Sequence, residues 1–331
     1  MSVAVVILNW NGKNHLKTYL PSVVAHSSSA IIYLADNHSS DDSVQFVKDN
    51  YPSIKIIQNQ SNDGFAKGYN DALQHVDEEY YILLNSDVEV SENWIEPVIQ
   101  FMKENKVSIA QPKILSYTEK NKFEYAGAGG GFIDVLGYPF CQGRIFQEME
   151  EDHGQYNEIK EVFWASGACM FIKASTFHDL GGFDERYFAH MEEIDLCWRA
   201  KNKGQQVYYV PKSTVYHLGG GTMQNSNPKK TFLNFRNSLL TLYKNDTSRF
   251  TFLKIIARLV LDGVAVFKLL IESGPKHALA IIRAHFSFYA SQKIKTEKTT
   301  INLKGLYKGS IAFAYFAKGQ KYFYQLKKGF N

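Results

Sequence analysis

A chain of 331 residues with 45% hydrophobic and 21% charged side chains carries enough apolar content for one large core, or a core with an appended lobe. Disordered and fibrous classes are excluded by that balance, and three cysteines without a CxxC spacing (Cys141, Cys169, Cys197) argue against a disulfide framework or a structural zinc site and suit a reducing compartment. The formal charge of +4 hides an asymmetry: from Asp246 onward stand 12 Lys and 3 Arg against 2 Asp and 2 Glu, a balance of +11 that leaves −7 on residues 1–245.

The opening run, Met1–Leu8, has no basic n-region and ends at Asn9, so a cytoplasmic protein without a secretory signal is expected. Val3–Leu8, Ile31–Ala35, Ile54–Gln58 and Tyr80–Leu84 read as buried strands, and His15–Val24, Ser43–Asn50 and Ala66–Val76 as the helices between them. This alternation predicts an α/β fold with a mostly parallel sheet and right-handed crossovers, and ligands in such sheets lie beyond the carboxyl ends of the strands. Polar clusters stand at those positions: Asn9-Trp10-Asn11-Gly12, Asp36-Asn37-His38-Ser39-Ser40-Asp41, Asn59 with Asn62-Asp63-Gly64, and Asn85-Ser86-Asp87. Each alone is ordinary turn chemistry. Four along one sheet edge point to a site.

Farther on, Gly127–Gly131 and Gly137–Gly143 read as loop, Phe163–Ile172 as an apolar run broken at Ser166-Gly167, Glu192–Lys201 as a helix and Val207–Val210 as a strand; Lys113–Glu161 reads as irregular. The tail changes character. Phe252–Ile271 is largely apolar, yet Lys254, Arg258, Asp262 and Lys268 interrupt the roughly 20 apolar residues that a spanning helix needs. With Ala278–Tyr289 and Ile311–Tyr324 it predicts helices that lie on an anionic membrane surface or pack on the body.

Asn85 and Asp87 alternate past a buried strand, so both can face one ligand, and a carboxylate at a strand end suits a divalent cation. The ordered set of motifs is more specific. The four strand-end clusters, then Gly167-Ala168-Cys169-Met170, Gly181-Gly182-Phe183-Asp184-Glu185 and Glu192-Glu193-Ile194-Asp195-Leu196-Cys197-Trp198-Arg199, resemble the family 2 inverting glycosyltransferases of GT-A fold, in particular bacterial rhamnosyltransferase-like members, over residues 1–245. The resemblance implies a GT-A domain over 1–245 and a basic, aromatic-rich helical extension over 246–331.

It also implies roles by position. Leu8, Asn9 and Asp36 would hold base and ribose, Gly68 and Asn70 would line the nucleotide-sugar pocket, and Asn85, Ser86 and Asp87 would close on the diphosphate. Asp87 takes the last place of the family's Asp-any-Asp metal motif, with Asn85 where the first Asp stands, and His217 would be a metal or diphosphate ligand, the ion being Mn2+ or Mg2+. Glu193 occupies the place of the general base, with Asp195 the alternative, and Trp164, Gly167 and Ala168 would border the acceptor. Glycines after His217 would let a loop close over the donor. The expected partners are a dTDP- or UDP-sugar, a glycan or lipid-linked acceptor and an anionic membrane on its inner, cytoplasmic face, with no nucleic acid. A nucleotidyltransferase would instead need a Gly-rich basic loop after strand one, and a non-catalytic sugar- or membrane-binding module would not need these acids and His217.

Overall fold

Runs of Val, Ile and Leu with almost no polar interior are strands covered on both faces. In the computed structural model, which describes residues 2–124, 126–219, 226–291, 295, 303–326 and 329–330, they form a β-α-β-α series: β1 (Val3–Asn9), α1 (Lys13–His26), β2 (Ile31–Asp36), α2 (Ser43–Asn50), β3 (Lys55–Gln58), α3 (Phe65–Leu73) and β4 (Tyr80–Asn85). Strands β3-β2-β1-β4 are adjacent and parallel, with Leu8 beside Asn85, Asn9 beside Asp36 and Asp36 beside Gln58. That register brings the polar strand ends into one row.

The chain continues through β5 (Val88–Val90), α4 (Glu96–Glu104) and β6 (Ile109–Ser116) to a second sheet of β7 (Gly131–Asp134), β8 (Pro139–Cys141), β9 (Arg144–Ile145) and β10 (Glu148–Met149). Then come β11 (Lys160–Val162), β12 (Cys169–Lys173), α5 (Ala174–Asp179), α6 (Glu192–Asn202) and β13 (Val207–His217). In the main sheet the order is β11-β13-β6-β12-β4-β1-β2-β3, with β5 also on β13. Beyond β4 the sheet is mixed, because β12 runs antiparallel to both β4 and β6. Two core clusters cover the two faces of the sheet, one holding Val5, Ile7 and Ile82 with α1 and α4, the other Ala4, Val6 and Leu83 with α3.

Four stretches differ from the sequence reading. The run Ile54–Gln58, read as a buried strand, is the edge of the sheet with Lys55 and Gln58 exposed, and the helix read over Ile311–Tyr324 ends at Phe316. Strand β13 runs on from Val210 to His217, since Pro211-Lys212-Ser213 sits at a register shift rather than at an end. Residues 113–161, read as irregular, supply the second sheet, whose strands of two to four residues are too short to show a period.

The remaining elements are α7 (Pro228–Asn245), α8 (Thr251–Glu272), α9 (Pro275–Ala290), β14 (Leu306–Tyr307) and α10 (Ile311–Phe316). Strand β14 pairs with β7, the Ile311 amide donates to Asp134 Oδ2 at 2.8 Å, and Phe323 and Phe330 pack at tilted or edge-on angles against Phe132 and Phe140. The extension is thus sewn into the second sheet. No helix among the described residues is long and apolar enough to cross a membrane.

Candidate active site

At the strand-end row the polar residues first bond one another. Asn9 Nδ2 donates to Asp36 Oδ1 (2.9 Å) and Ser39 Oγ (3.1 Å), and Asp36 also accepts from the Ser39 amide (3.0 Å). Both side chains are buried, with Asn9 Oδ1 left without a protein partner. Leu8, beside Asn85, is more open. A Cβ at Gly12 would meet Asn9 Oδ1 at 2.4 Å, so the glycine is what lets the loop pass. Asn37 links the next two clusters, donating to Asn62 Oδ1 (2.8 Å) and accepting from Asn59 Nδ2 (3.1 Å).

Gly68 and Asn70, expected in the pocket wall, brace the neighbouring segments. A Cβ on Gly68 would meet Asn37 at 2.9 Å, and the Gly68 carbonyl accepts from Asn59 Nδ2. Asn70 spends both ends of its amide on the Phe183 backbone, at 2.9 Å each. The motif around Gly181–Glu185 is thereby tied to α3.

Asp87 and His217 come together across strands. The antiparallel pairing of β13 with β5 sets His217 beside Val88, and the Leu218 amide donates to the Asp87 carbonyl at 3.1 Å. Their side chains meet at 3.2 Å, Nε2 to Oδ1, with the Asn85 amide 3.5 Å from Nε2; Ser86 lies between them in the turn. The other imidazole nitrogen, Nδ1, is 3.4 Å from Glu124 Oε2, in ion-pair reach though not aligned for a hydrogen bond. Burial disfavours the imidazolium, but Glu124 and Asp87 outweigh it and push His217 up to about 10. Burial likewise opposes ionisation of Asp87 and of Glu124, and the facing His217 overcomes it, holding both carboxyls below their usual range.

A carboxylate oxygen and an imidazole nitrogen facing each other are a fitting donor pair for a first-row divalent ion in place of the shared proton. No set of three or more His, Cys, Asp or Glu forms a closed cage among the described residues. The pair therefore fits an ion completed by substrate oxygens. Glu124, which sequence reading missed because no motif surrounds it, is the carboxylate behind the histidine. Of the glycines after His217, Gly220 and Gly221 lie outside the described residues, and a Cβ at Gly219 would meet Glu124 Oε1 at 2.7 Å.

Glu193 sits in the first turn of α6, where the free backbone amides favour an anion. The chain reaches that turn through Phe188, His190 and Met191, all with positive φ (62°, 70° and 75°), a strained approach for side-chain-bearing residues. Asn237 of α7 holds it, donating to the carbonyls of Tyr187 (3.0 Å), Ala189 (2.9 Å) and His190 (2.8 Å). Gly64 completes the cradle: the Phe65 amide donates to the Phe188 carbonyl at 2.6 Å, and a Cβ on Gly64 would strike that oxygen at 2.4 Å. Burial pushes the Glu193 carboxyl up to about 7, against the helix amides, and its shielded Oε2 has no protein partner. Neighbouring Glu192, deeper still, is raised well above its usual value by burial and then by Glu193.

Asp195 does not share this setting. It is fully buried, Oδ2 accepting from Arg199 (2.8 Å) and Lys244 (2.9 Å) and Oδ1 from Asn245 (2.7 Å). With its oxygens engaged by two cations and an amide it is a brace between α6 and α7, not a free base.

Gly167 and Ala168 join the two halves. The Asn85 amide donates to the Ala168 carbonyl (3.0 Å), and a Cβ on Gly167 would contact Phe65 at 3.4 Å and Glu193 Cβ at 3.9 Å. The end of β4 and the first turn of α6 are therefore joined through this segment. Trp164 is not part of this junction: the ring is buried, donates to the Phe132 carbonyl (2.8 Å) and fills the space over Gly131, so no face is left for a sugar. A cleft of about 810 Å³ lies elsewhere, lined by Lys160 and Glu161, which pair with Tyr209 and Tyr208 of β13, eight and nine residues before His217 along the strand.

Known proteins resemble the chain in sequence and in fold. The sequence profile described as "Glycosyl transferase family 2" matches residues 4–180. The N-acetylglucosaminyl-diphospho-decaprenol L-rhamnosyltransferase of Mycobacterium tuberculosis is 26% identical over 230 residues, 64% of this chain and 75% of the relative. The low-salt glycan biosynthesis hexosyltransferase Agl10 of Haloferax volcanii is 22% identical over 281 residues, 82% and 85% of the two chains. Among solved structures, the mannosyltransferase PcManGT of Pyrobaculum calidifontis, in complex with GDP-Man and Mn2+, superposes with a TM-score of 0.54 at 10% identity over 87% of each chain, a likeness of fold. A profile match over more than half of the sequence leads to one assignment: the chain belongs to glycosyl transferase family 2.

Proposed function

We propose that the protein is an inverting, divalent-cation-dependent hexosyltransferase. Its donor would be a dTDP- or UDP-sugar, rhamnose first, and its acceptor a hydroxyl of a lipid-linked intermediate or glycan in cell-surface polysaccharide or glycolipid synthesis. The observation that carries this reading is the Asp87–His217 pair, 3.2 Å apart at the strand-end edge, with Glu193 reached from that edge through Gly167. The names of the rhamnosyl- and hexosyltransferase relatives support the sugar class.

Asp87 and His217 would hold Mn2+ or Mg2+, which neutralises charge on the departing diphosphate. Glu193, ionised above about pH 7, takes the proton of the acceptor hydroxyl. The hydroxyl oxygen forms the new bond to the anomeric carbon from the side opposite the leaving group, the bond to the diphosphate oxygen breaks with its electron pair, and the configuration inverts. Asn9 and Asp36 would frame the base and ribose, and Gly167-Ala168 the acceptor side. Residues 1–245 would carry the transfer, and the +11 extension over 246–331 would meet the anionic inner face of the cytoplasmic membrane.

The test is nucleotide release by the full chain from dTDP-rhamnose and UDP-hexoses, with Mn2+ and a panel of polyprenyl-diphosphate sugars. Chelation should stop turnover. Donor binding with no release across the whole panel would make the chain a binding module instead. Glu124→Gln should raise the Mn2+ concentration for half-activation by about 10–100-fold, because the imidazole loses the carboxylate behind it. An unchanged Mn2+ titration would remove Glu124 from the site.

A further inference from the structure

A helix on a water-facing surface turns its apolar stripe inward and its charges outward. Helix α8 does the reverse. Inside, Arg258 and Asp262 are each 1% exposed. Arg258 donates to the Leu136 carbonyl (3.0 Å) and Ser238 Oγ (2.8 Å) and lies over the Tyr138 ring, while Asp262 accepts from the Tyr138 hydroxyl (2.6 Å) and stands 3.0 Å from His285 Nε2 on α9. Outside, Phe252, Ile256, Val260, Val264, Phe267 and Ile271 follow one another at three- or four-residue spacing and are 43–86% exposed. The stripe runs the length of a 22-residue helix, about 33 Å.

Neighbouring elements extend it. Ile282 and Phe286 of α9 line a shallow apolar groove with α8, and Lys268 of α8 lies over the ring of Phe316 on α10, where Phe313 is also exposed. All but four of the exposed large hydrophobic side chains among the described residues (Trp10, Ile31, Met149 and Ile159) fall after Asp246. The exposed charges of this segment are predominantly basic: Lys268, Lys276, Arg283, Lys318 and Lys321 stand against Glu272, the sole exposed acid among the described residues from Thr251 on, which pairs with Lys268 (3.4 Å), while Lys321 pairs with Glu148 (3.0 Å).

We propose that the outer face of α8–α10 inserts into the interfacial layer of an anionic bilayer, so that the chain is anchored in one leaflet by apolar burial and not by charge alone. The inference deepens the membrane contact proposed above and rests on it. Charge selects the occupant: a second copy would press two +11 segments together, whereas acidic headgroups meet the cationic rim and the acyl layer takes the stripe. With no described helix able to cross, α8 lies in the plane of the membrane.

Flotation of the full chain with vesicles of phosphatidylcholine and phosphatidylglycerol tests this. Binding should persist at about 1 M salt, where the Debye length is about 3 Å. The triple variant Val260→Gln, Val264→Gln, Phe267→Gln should bind the same vesicles about a hundredfold more weakly, with unchanged melting temperature and unchanged transfer to a water-soluble acceptor. Independently, Phe267→Trp should be quenched by lipids brominated on the acyl chain. Complete release of the wild type by salt, without acyl-chain quenching, would overturn insertion and leave a charge-only contact. Failure to float at any salt, or a dimer that the triple variant dissolves, would also overturn it, and the soluble-acceptor assay reads the transferase proposal separately from all of these.

Discussion

Glu193→Gln should yield a folded protein that binds donor normally and transfers sugar about 10²–10⁴-fold more slowly, because the amide cannot accept the acceptor's proton. Two pH signatures distinguish this from a structural defect. In the wild type, the carboxyl that burial raises to about 7 must be ionised to act, so kcat/KM should climb about tenfold per unit below pH 7 and level off above it; the Gln variant should lose that limb. Stability moves the other way. A carboxyl whose folded-state pKa lies above its unfolded one favours folding while protonated, and that advantage is lost as pH rises through about 7. The Gln variant should accordingly unfold at higher temperature than wild type at pH 8, by a difference on the order of 3 kcal/mol, and the two should converge near pH 4.5. A fully active Glu193→Gln enzyme would end the assignment. Asp195→Ala is the contrast, expected to cost about 3–5 kcal/mol of folding because Lys244 and Arg199 lose their buried partner.

The second large effect is expected at Asp87. Replacing it with Ala should reduce Mn2+-dependent turnover by at least about 10³-fold, the loss of a carboxylate ligand being worth several kcal/mol of charge stabilisation. Mn2+ binding followed by electron paramagnetic resonance in the presence of UDP should weaken in parallel, which separates a ligand from a mere neighbour. Metal-free protein gives a further sign. Asp87 is held below its ordinary pKa by His217 and supports the fold above that ordinary value, while His217, raised to about 10, supports it fully below its ordinary value near 6.5. Asp87→Ala should therefore lower the apo melting temperature most between about pH 4 and 6.5 and least above pH 10. Retained Mn2+ binding in the variant would exclude the proposed ligand pair.

The parallel half of the sheet was legible because its strands are short apolar runs closed by Asn, Asp and Gly, which places a polar row at one edge; the register Asn9–Asp36 and Leu8–Asn85 is what the structure adds. What escaped was set by contacts distant in sequence. Glu124 stands in no motif and meets His217 only after β13 has crossed the sheet. Asn237 acts through three carbonyls of a loop some fifty residues earlier. Trp164 shows the opposite case: residue type suggested ligand contact, yet its ring is consumed by packing and by a backbone hydrogen bond. Asp195 could not be told from Glu193 by spacing, since only Lys244 and Asn245 of α7 reveal which carboxylate is already spoken for.

The strand that the last thirty residues lend to the second sheet constrains how such chains can be rebuilt. A cut after Asn245 would take β14 from β7, strip the Ile311 amide from the wholly buried Asp134 and uncover the Phe132–Phe140 stack. The C-terminal part is therefore no detachable cassette, and grafting another anchor onto this body requires keeping residues 303–330 as a returning stitch.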